Sequence, residues 1–391
     1  MSWLVEGGVM QNSQTDNNVK VTIDTFKEAD LEDFLELSRE EFSKAVLADP
    51  DHADWKDLHV ESIMTNPDYI RWKHLDSPFG ASTFIRLVAS GKTVGRSLFQ
   101  PRSFYSTTQK FHVACGGDLL IQRKFRSPPS NFINLILASD GISSFDFVYH
   151  TANEISHTLY RSRLLRFPNP FSLSSYGFPL RIAGLLSSIM GRRIDALDWL
   201  IAPFRWLVGA LALVFCSIVR LDISQRPMSD EGLENLFQNC LRQSGPLLAR
   251  TNDYLKWRFG DASNCPAKIF RIDRQGQLIG YVVTRQVEMG GLKHLVLMDF
   301  LLESDTPLSV QFALRLWLIR SAITAKADTL FTMVNSFNEM ARKCVGFPLV
   351  RIPDKLLPHA TPIFIRSYRH RNSEFETDRS LHFALADLDY F

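Results

Sequence analysis

The sequence partly repeats itself. Asp68-Tyr69-Ile70-Arg71-Trp72-Lys73 reads against Asp253-Tyr254-Leu255-Lys256-Trp257-Arg258, with Tyr69 and Tyr254 185 positions apart (254 − 69). Gly91-Lys92-Thr93-Val94-Gly95 falls on Gly276-Gln277-Leu278-Ile279-Gly280 at the same shift (276 − 91). Farther along, Asp118 matches Asp299 at 181 and Asn153 matches Asn335 at 182, so few residues are lost over the length of a domain. A chain of 391 residues accommodates two domains of ~150 to 200 residues, each with its own core. Two related domains in tandem are therefore expected.

The net charge of +2 gives no electrostatic footprint for nucleic acid. Five scattered cysteines without a C-x-x-C pair, and no histidine at metal-ligand spacing, point to a reducing compartment and no metal. The first residues lack the basic flank and apolar run of a signal peptide. Residues 11–18 are polar enough for a disordered lead. A cytoplasmic protein is expected.

Period-two alternation predicts strands at 19–24, 82–89, 93–102 and 110–121. Apolar residues at helical spacing (Leu31, Phe34, Leu35, Leu37) predict a helix over 28–45, and 130–139, 145–150 and 154–165 read as helix, strand and helix. The second copy repeats the order: helix 230–243; strands 268–273, 278–288 and 292–302; helix 308–325; strand 329–334; helix 338–344; strand 361–367. The expected fold class is α/β, an α+β mixed sheet that is mostly antiparallel with a parallel end. The expected division is a lead at 1–18, domains at 19–181 and 222–370, an apolar helical insert at 182–221 between them, and a tail at 371–391.

After the fifth strand, Asn153, Ser156 and Tyr160 stand at the spacing of a motif whose closing Gly-Phe is absent here, Leu164 and Leu165 taking those places. The second copy keeps the other half, Asn335 leading to Gly346-Phe347 with Arg342 at the tyrosine position. With the order of elements and the duplication, the chain resembles the GNAT superfamily of acyl-CoA N-acyltransferases, in particular tandem bacterial members linked to cell-envelope polysaccharide. The resemblance implies an acyltransferase with acyl-CoA or acetyl-CoA as co-substrate. Its phosphate loop would fall at 122–130, where Arg123, Lys124, Arg126, Ser127 and Ser130 are the cofactor-binding candidates. Pro128 and Pro129 lack the N–H that such a loop offers to phosphate. That favours an acyl-carrier-protein donor or a non-catalytic binding or scaffold protein as alternatives. The equivalent loop of the second copy, Glu303-Ser304-Asp305-Thr306-Pro307, is acidic, so no donor is expected there.

By the same resemblance Tyr160 would be the general acid that protonates the leaving thiolate, a phenol being protonated at pH 7. Asn153 is the second catalytic candidate. Asp118 and Glu154 are candidate bases by position only. Trp72 and Trp257 read as core aromatics or as the lining of an acceptor cleft. His74, His150 and His157, lacking a Ser or Cys partner, read as surface or capping residues. The acceptor implied is an amine or hydroxyl of a small molecule or lipid-linked sugar. The tail at 381–391, with Asp387 and Asp389 near an aromatic end, resembles how several relatives finish and is expected to close the chain.

Residues 206–219 form a fourteen-residue stretch without a charge, bounded by Arg205 and Arg220. That is short of the ~20 apolar residues a spanning helix needs. Residues 161–226 hold nine arginines, three aspartates and no lysine or glutamate, a local excess of +6 (9 − 3). Two expectations follow for 197–220: a buried helix that joins the domains, or an interfacial helix that makes the protein peripheral on the inner face of the membrane.

Overall fold

Alternation along two neighbouring strands sorts the first half of the chain into three layers. Phe84 and Leu98 pack with Phe34, Leu35 and Ile70, whereas Ile85 and Phe99, one residue on, pack with Leu135 and Val148. Successive strand residues point to opposite faces, so helices cover the sheet on both sides. The computed structural model describes residues 5–6, 9–11, 19–42, 63–127, 129–142, 144–151, 154–163, 165–181, 196–260, 263–264, 266–289, 291–353, 361–368 and 374–388. It divides into unit 1 (Met1–Ser103, Phe111–Pro170, Pro362–Thr377) and unit 2 (Phe104–Lys110, Phe171–Thr361, Asp378–Phe391).

Unit 1 comprises β1 (Val5–Glu6), β2 (Val9–Gln11), β3 (Val19–Thr25), α1 (Leu31–Glu41), α2 (Pro67–His74), β4 (Thr83–Ala89), β5 (Lys92–Tyr105), β6 (Lys110–Ile121), α3 (Ser130–Leu137), β7 (Phe147–Thr151) and α4 (Glu154–Tyr160). The last strand of the chain, β16 (Thr361–Ser367), completes it. The strand order is β1-β2-β3-β4-β5-β6-β7-β16. β6 and β7 are parallel, and β16 returns antiparallel to β7 over five pairs, Ile363↔Thr151 to Ser367↔Phe147. β1 and β2 pair with each other and β2 pairs with β3, while residues 12–18 of the stretch expected to be disordered lie outside the described residues.

Unit 2 holds β8 (Phe171–Pro179), α5 (Ala196–Ile218), β9 (Leu221–Ser224), α6 (Asp230–Ser244), β10 (Leu247–Leu248), α7 (Asn252–Phe259), β11 (Lys268–Arg274), β12 (Gln277–Met289), β13 (Leu292–Leu302), α8 (Leu308–Thr324), β14 (Thr329–Val334), α9 (Glu339–Cys344) and β15 (Val350–Arg351). Its sheet order is β9-β11-β12-β13-β14-β8, again with one parallel pair, β13 and β14. Residues 182–195 of the expected insert lie outside the described residues.

The repeat is visible in detail. Asn66 caps α2 by accepting from the Asp68 and Tyr69 N–H groups, and Thr251, 185 positions later (251 − 66), caps α7 by accepting from Tyr254. Such caps satisfy N–H groups that a helix leaves free in its first turn. Ser90-Gly91 (φ 50° and 78°) and Gln275-Gly276 (φ 53° and 85°) make the same left-handed hairpin turn, the geometry that favours glycine. Even the bulges coincide, at Leu87/Val88 in β4 and Ile272/Asp273 in β11 (272 − 87, again 185).

The contiguous division at 181 differs from the sheet pairing. β8 hydrogen-bonds to β14 over six pairs, Thr329↔Pro179 to Val334↔Ser174, so it belongs to unit 2. β16, which follows the second copy in sequence, belongs to unit 1. Each copy therefore draws its closing strand from the other copy's stretch of sequence.

Candidate active site

The parallel pairing of β6 with β7 runs from Val113↔Phe147 to Gly116↔His150 and stops, while β6 continues to Ile121. Side chains collect where the two strands part. His150, buried on β7, lies against Gly116, where a Cβ would come within 2.2 Å of the imidazole Cε1. Only glycine allows that approach. The His150 Nδ1 is 3.0 Å from the Tyr160 hydroxyl at the end of α4, and its Nε2 has no hydrogen-bond partner among the described residues. Burial, helped by the charge of Arg366, pushes the His150 pKa down to about 3, so the ring is neutral at pH 7.

Tyr160 is 4% exposed, stacks on Phe364 of β16 at 5.1 Å and meets Phe167 edge-on at 5.1 Å. Phe99 and Phe167 each present a ring edge to His150, at 5.5 and 5.4 Å. The His150–Tyr160 pair thus stands in an aromatic cage, one wall of which is the exchanged strand. His150, read from sequence as a surface or capping residue, is a core partner of the tyrosine. The signal that could have found it is Gly116-Gly117 on β6, the gap that accepts the ring.

His74 is likewise buried and partnered, which corrects the same reading. Its Nε2 lies 2.7 Å from Asp118, its Nδ1 lies 2.9 Å from Ser82 Oγ, and Lys73 Nζ is 2.9 Å from the same carboxylate. Burial raises the Asp118 pKa, but Lys73 and His74 outweigh it and hold the carboxyl below the usual range. A carboxylate held between two such donors is a poor base. Glu154 opens α4 without a described side chain, and Asn153 lies outside the described residues. His157 is half-buried, with its ring 5.7 Å from Phe364. Trp72 is buried and packs against Tyr69, as Trp257 packs against Tyr254.

The loop after β6 turns at Arg123–Phe125 and enters α3 at Ser130. Arg126 pairs with Glu41 of α1 at 2.6 Å and donates through Nε to the Ile121 carbonyl, while the Arg123 N–H donates to the other Glu41 oxygen at 3.0 Å. Asn131 ties α3 back to the Phe125 carbonyl. One carboxylate thus occupies a backbone donor and the guanidinium of the candidate phosphate loop. Lys124 is exposed, its ammonium 5.3 Å from the Phe125 ring centre, and Ser127 is exposed beside Pro128, which lies outside the described residues. Among the described residues no group of acidic, His and Cys side chains could hold a metal.

Unit 2 parts its strands in the same way, the β13–β14 pairing running only from His294↔Thr329 to Val296↔Phe331. Here the C-terminal segment enters. Asn335, counterpart of Asn153, donates its side-chain amide to the Arg379 and Leu381 carbonyls, and Asn338 donates to Ser380. Ala384 bridges to Val334 of β14, and the His382 ring lies 5.3 Å from Phe300 of β13. Buried Arg250 then joins Asp387 of the tail (2.7 Å) to Asp299 of β13 (2.8 Å), and the Tyr281 hydroxyl donates to Asp299 at 2.9 Å. The acidic loop after β13 is likewise satisfied by protein groups, Glu303 accepting from Asn239 and the Ser304 N–H donating to Gln243.

Burial and the second carboxylate, Asp387, raise the Asp299 pKa to about 6 against the pull of Arg250. A raised folded-state value contributes stability that is full below the unfolded pKa, near 3.8, and is lost as the pH climbs through about 6. Thermal melts of wild type and Asp299→Asn should therefore diverge with pH, the wild type losing ground to the variant between pH 5 and 7.5. Parallel curves would mean that Asp299 is ionised throughout.

No family model matches the chain, and no curated protein matches it. Among solved structures, Saccharomyces cerevisiae N-myristoyltransferase with bound myristoyl-CoA superposes with a TM-score of 0.52 at 12% identity, over 91% of this chain and 84% of that one. A GCN5-related N-acetyltransferase from Anabaena variabilis superposes with a TM-score of 0.51 at 9% identity, over 89% of this chain and 73% of that one. At such identities the likeness speaks for architecture, and the chain has a mixed α/β, GNAT-like fold, the one these N-acetyl- and N-myristoyltransferases share.

Proposed function

We propose that unit 1 is an acyltransferase that moves an acyl group from acyl-CoA, or from an acyl-carrier protein, to an amine or hydroxyl. The observation that carries this is the His150–Tyr160 pair at the point where β6 and β7 part. In this reading the acceptor attacks the thioester carbonyl, the C–S bond breaks, and the thiolate takes the phenolic proton of Tyr160. Neutral His150, with its proton on Nδ1, donates to the phenolic oxygen and stabilises the negative charge that develops there. The proton lost by the acceptor passes to solvent and returns to Tyr160. The solved N-myristoyltransferase holds myristoyl-CoA, which supports a thioester donor for this fold. The cofactor set of Arg123, Lys124, Arg126, Ser127 and Ser130, and Asn153 as a catalytic partner, belong to the same proposal.

The acceptor class, a small molecule or lipid-linked sugar such as a cell-envelope precursor, rests on the resemblance. With it goes a cytoplasmic protein, peripheral to the inner face of the membrane. The tail between β13 and β14 supports a unit 2 that binds no donor of its own.

A second reading, a non-catalytic binding or scaffold protein, is favoured by Glu41, which neutralises Arg126 and takes the Arg123 N–H where phosphate would go. Calorimetry with acetyl-CoA and longer acyl-CoAs separates the two. If the loop takes phosphate, Glu41→Gln removes the competing carboxylate and tightens binding about tenfold, the worth of one charge-assisted hydrogen bond, and Arg126→Ala loses it. No binding by wild type or Glu41→Gln would favour the scaffold.

A further inference from the structure

Among the described residues the outer half of α5 is largely exposed, Phe204 alone of its stripe meeting a ring, that of Phe178 in β8, at 6.4 Å. Its inner half is packed: Val208 and Ala212 are buried, Phe215 meets Phe312 of α8 edge-on at 5.2 Å, and the Cys216 thiol lies 3.9 Å from the Ala313 carbonyl. On the other side Phe204, Leu207, Leu211, Val214 and Ile218 follow at spacings of three and four, a single stripe on a helix, and are 37 to 70% exposed. Trp206 and Leu213, seven apart, widen the stripe at 74 and 54% exposure. Phe347, 74% exposed, stacks on Phe312 at 6.3 Å and carries the apolar surface past α8. Continuous exposed apolar surface of this extent marks an interaction site.

We infer that this face docks unit 2 flat on an anionic lipid surface, which gives the peripheral placement proposed above its physical element. Three observations select lipid. No charged residue stands between Arg205 and Arg220, so the helix lacks the flanking charges that set a partner helix in a coiled coil. Positive charge stands past the C-terminal end of the stripe, where Arg220 and Arg226 are exposed and Arg226 also meets Asp222 at 3.5 Å. Trp206 adds the amphipathic indole favoured at a headgroup boundary. Spanning is a different matter: one side of α5 is committed to α8, and no helix among the described residues is long and apolar enough to cross a bilayer.

The test is vesicle flotation, with no acyl donor present so that the acyl-transfer reading is not at stake. Phosphatidylcholine vesicles are compared with vesicles that also contain phosphatidylglycerol. The protein should float with the anionic vesicles and much less with the neutral ones, and Arg220→Gln should weaken binding about five-fold at low salt. Leu211→Glu/Val214→Glu should abolish flotation while the melting temperature and sedimentation coefficient stay those of the wild-type monomer, because both positions are exposed. Should that pair disturb folding, Trp206→Ser/Ile218→Ser gives the same readout from milder changes. No flotation by wild type, or equal flotation by both double variants, overturns the inference. So does a wild-type dimer that the same variants dissociate, since a second copy would then cover the stripe.

Discussion

Arg250→Met is expected to cost unit 2 about 3–5 kcal/mol, the usual penalty for stripping one partner from a buried charge cluster. Arg250, Asp299 and Asp387 have side chains 1, 0 and 2% exposed, so none can recruit water when the cation goes. Methionine fills much of the volume, and the loss is then electrostatic: two carboxylates remain in one buried site and at least one must take up a proton. The cluster ties the tail to β13, so the same change should release residues 381–388 from the strand gap. Equilibrium unfolding in urea reads the loss, and Arg250→Met/Asp299→Asn, which removes one of the two acids, should recover part of it. A change below about 1 kcal/mol, the surface-pair value, would show that the tail is held by its other contacts, the Asn335 and Asn338 amides and the Ala384–Val334 bridge among them.

Tyr160→Phe is expected to lower kcat by about 10²–10⁴, the range for a general acid, with acyl-CoA affinity nearly unchanged. The ring still stacks on Phe364 and meets Phe167 edge-on in the variant, and the bond to His150 is lost, at about 1 kcal/mol. His150→Gln separates positioning from packing: it should lower kcat while leaving the acyl-CoA KM near wild type. Equal kcat for Tyr160→Phe and wild type would leave Tyr160 as a core residue.

The repeat made much of the fold legible. Strands expected at 292–302, 329–334 and 361–367 from the repeated order of elements are found there, and the 185-residue shift marks the equivalent turn glycines, while the matching caps and bulges come to light only in the structure. What stayed hidden was partnership. A period-two pattern says that a stretch is a strand but not which sheet receives it, so nothing in residues 361–367 points to β7, or in residues 171–179 to β14. The candidate site was half legible for the same reason. Tyr160 stands out by its spacing from Asn153, but His150 acquires its meaning from Gly116 on a neighbouring strand, and Glu41 from a loop more than eighty positions away. Asn335 resembled a motif residue of a donor site, yet its amide clamps the chain's own tail. Spacing reports ancestry, and hydrogen bonds report present use.

The central claim is that a thioester donor enters unit 1 while unit 2 keeps its own tail in the matching place. Hydrogen–deuterium exchange with and without acyl-CoA tests it directly, because backbone amides of the two strand gaps fall in different peptides. The account predicts new protection over residues 116–130 and no change over 297–306 and 380–388. Protection across β13 and β14, with release of the tail, would contradict it.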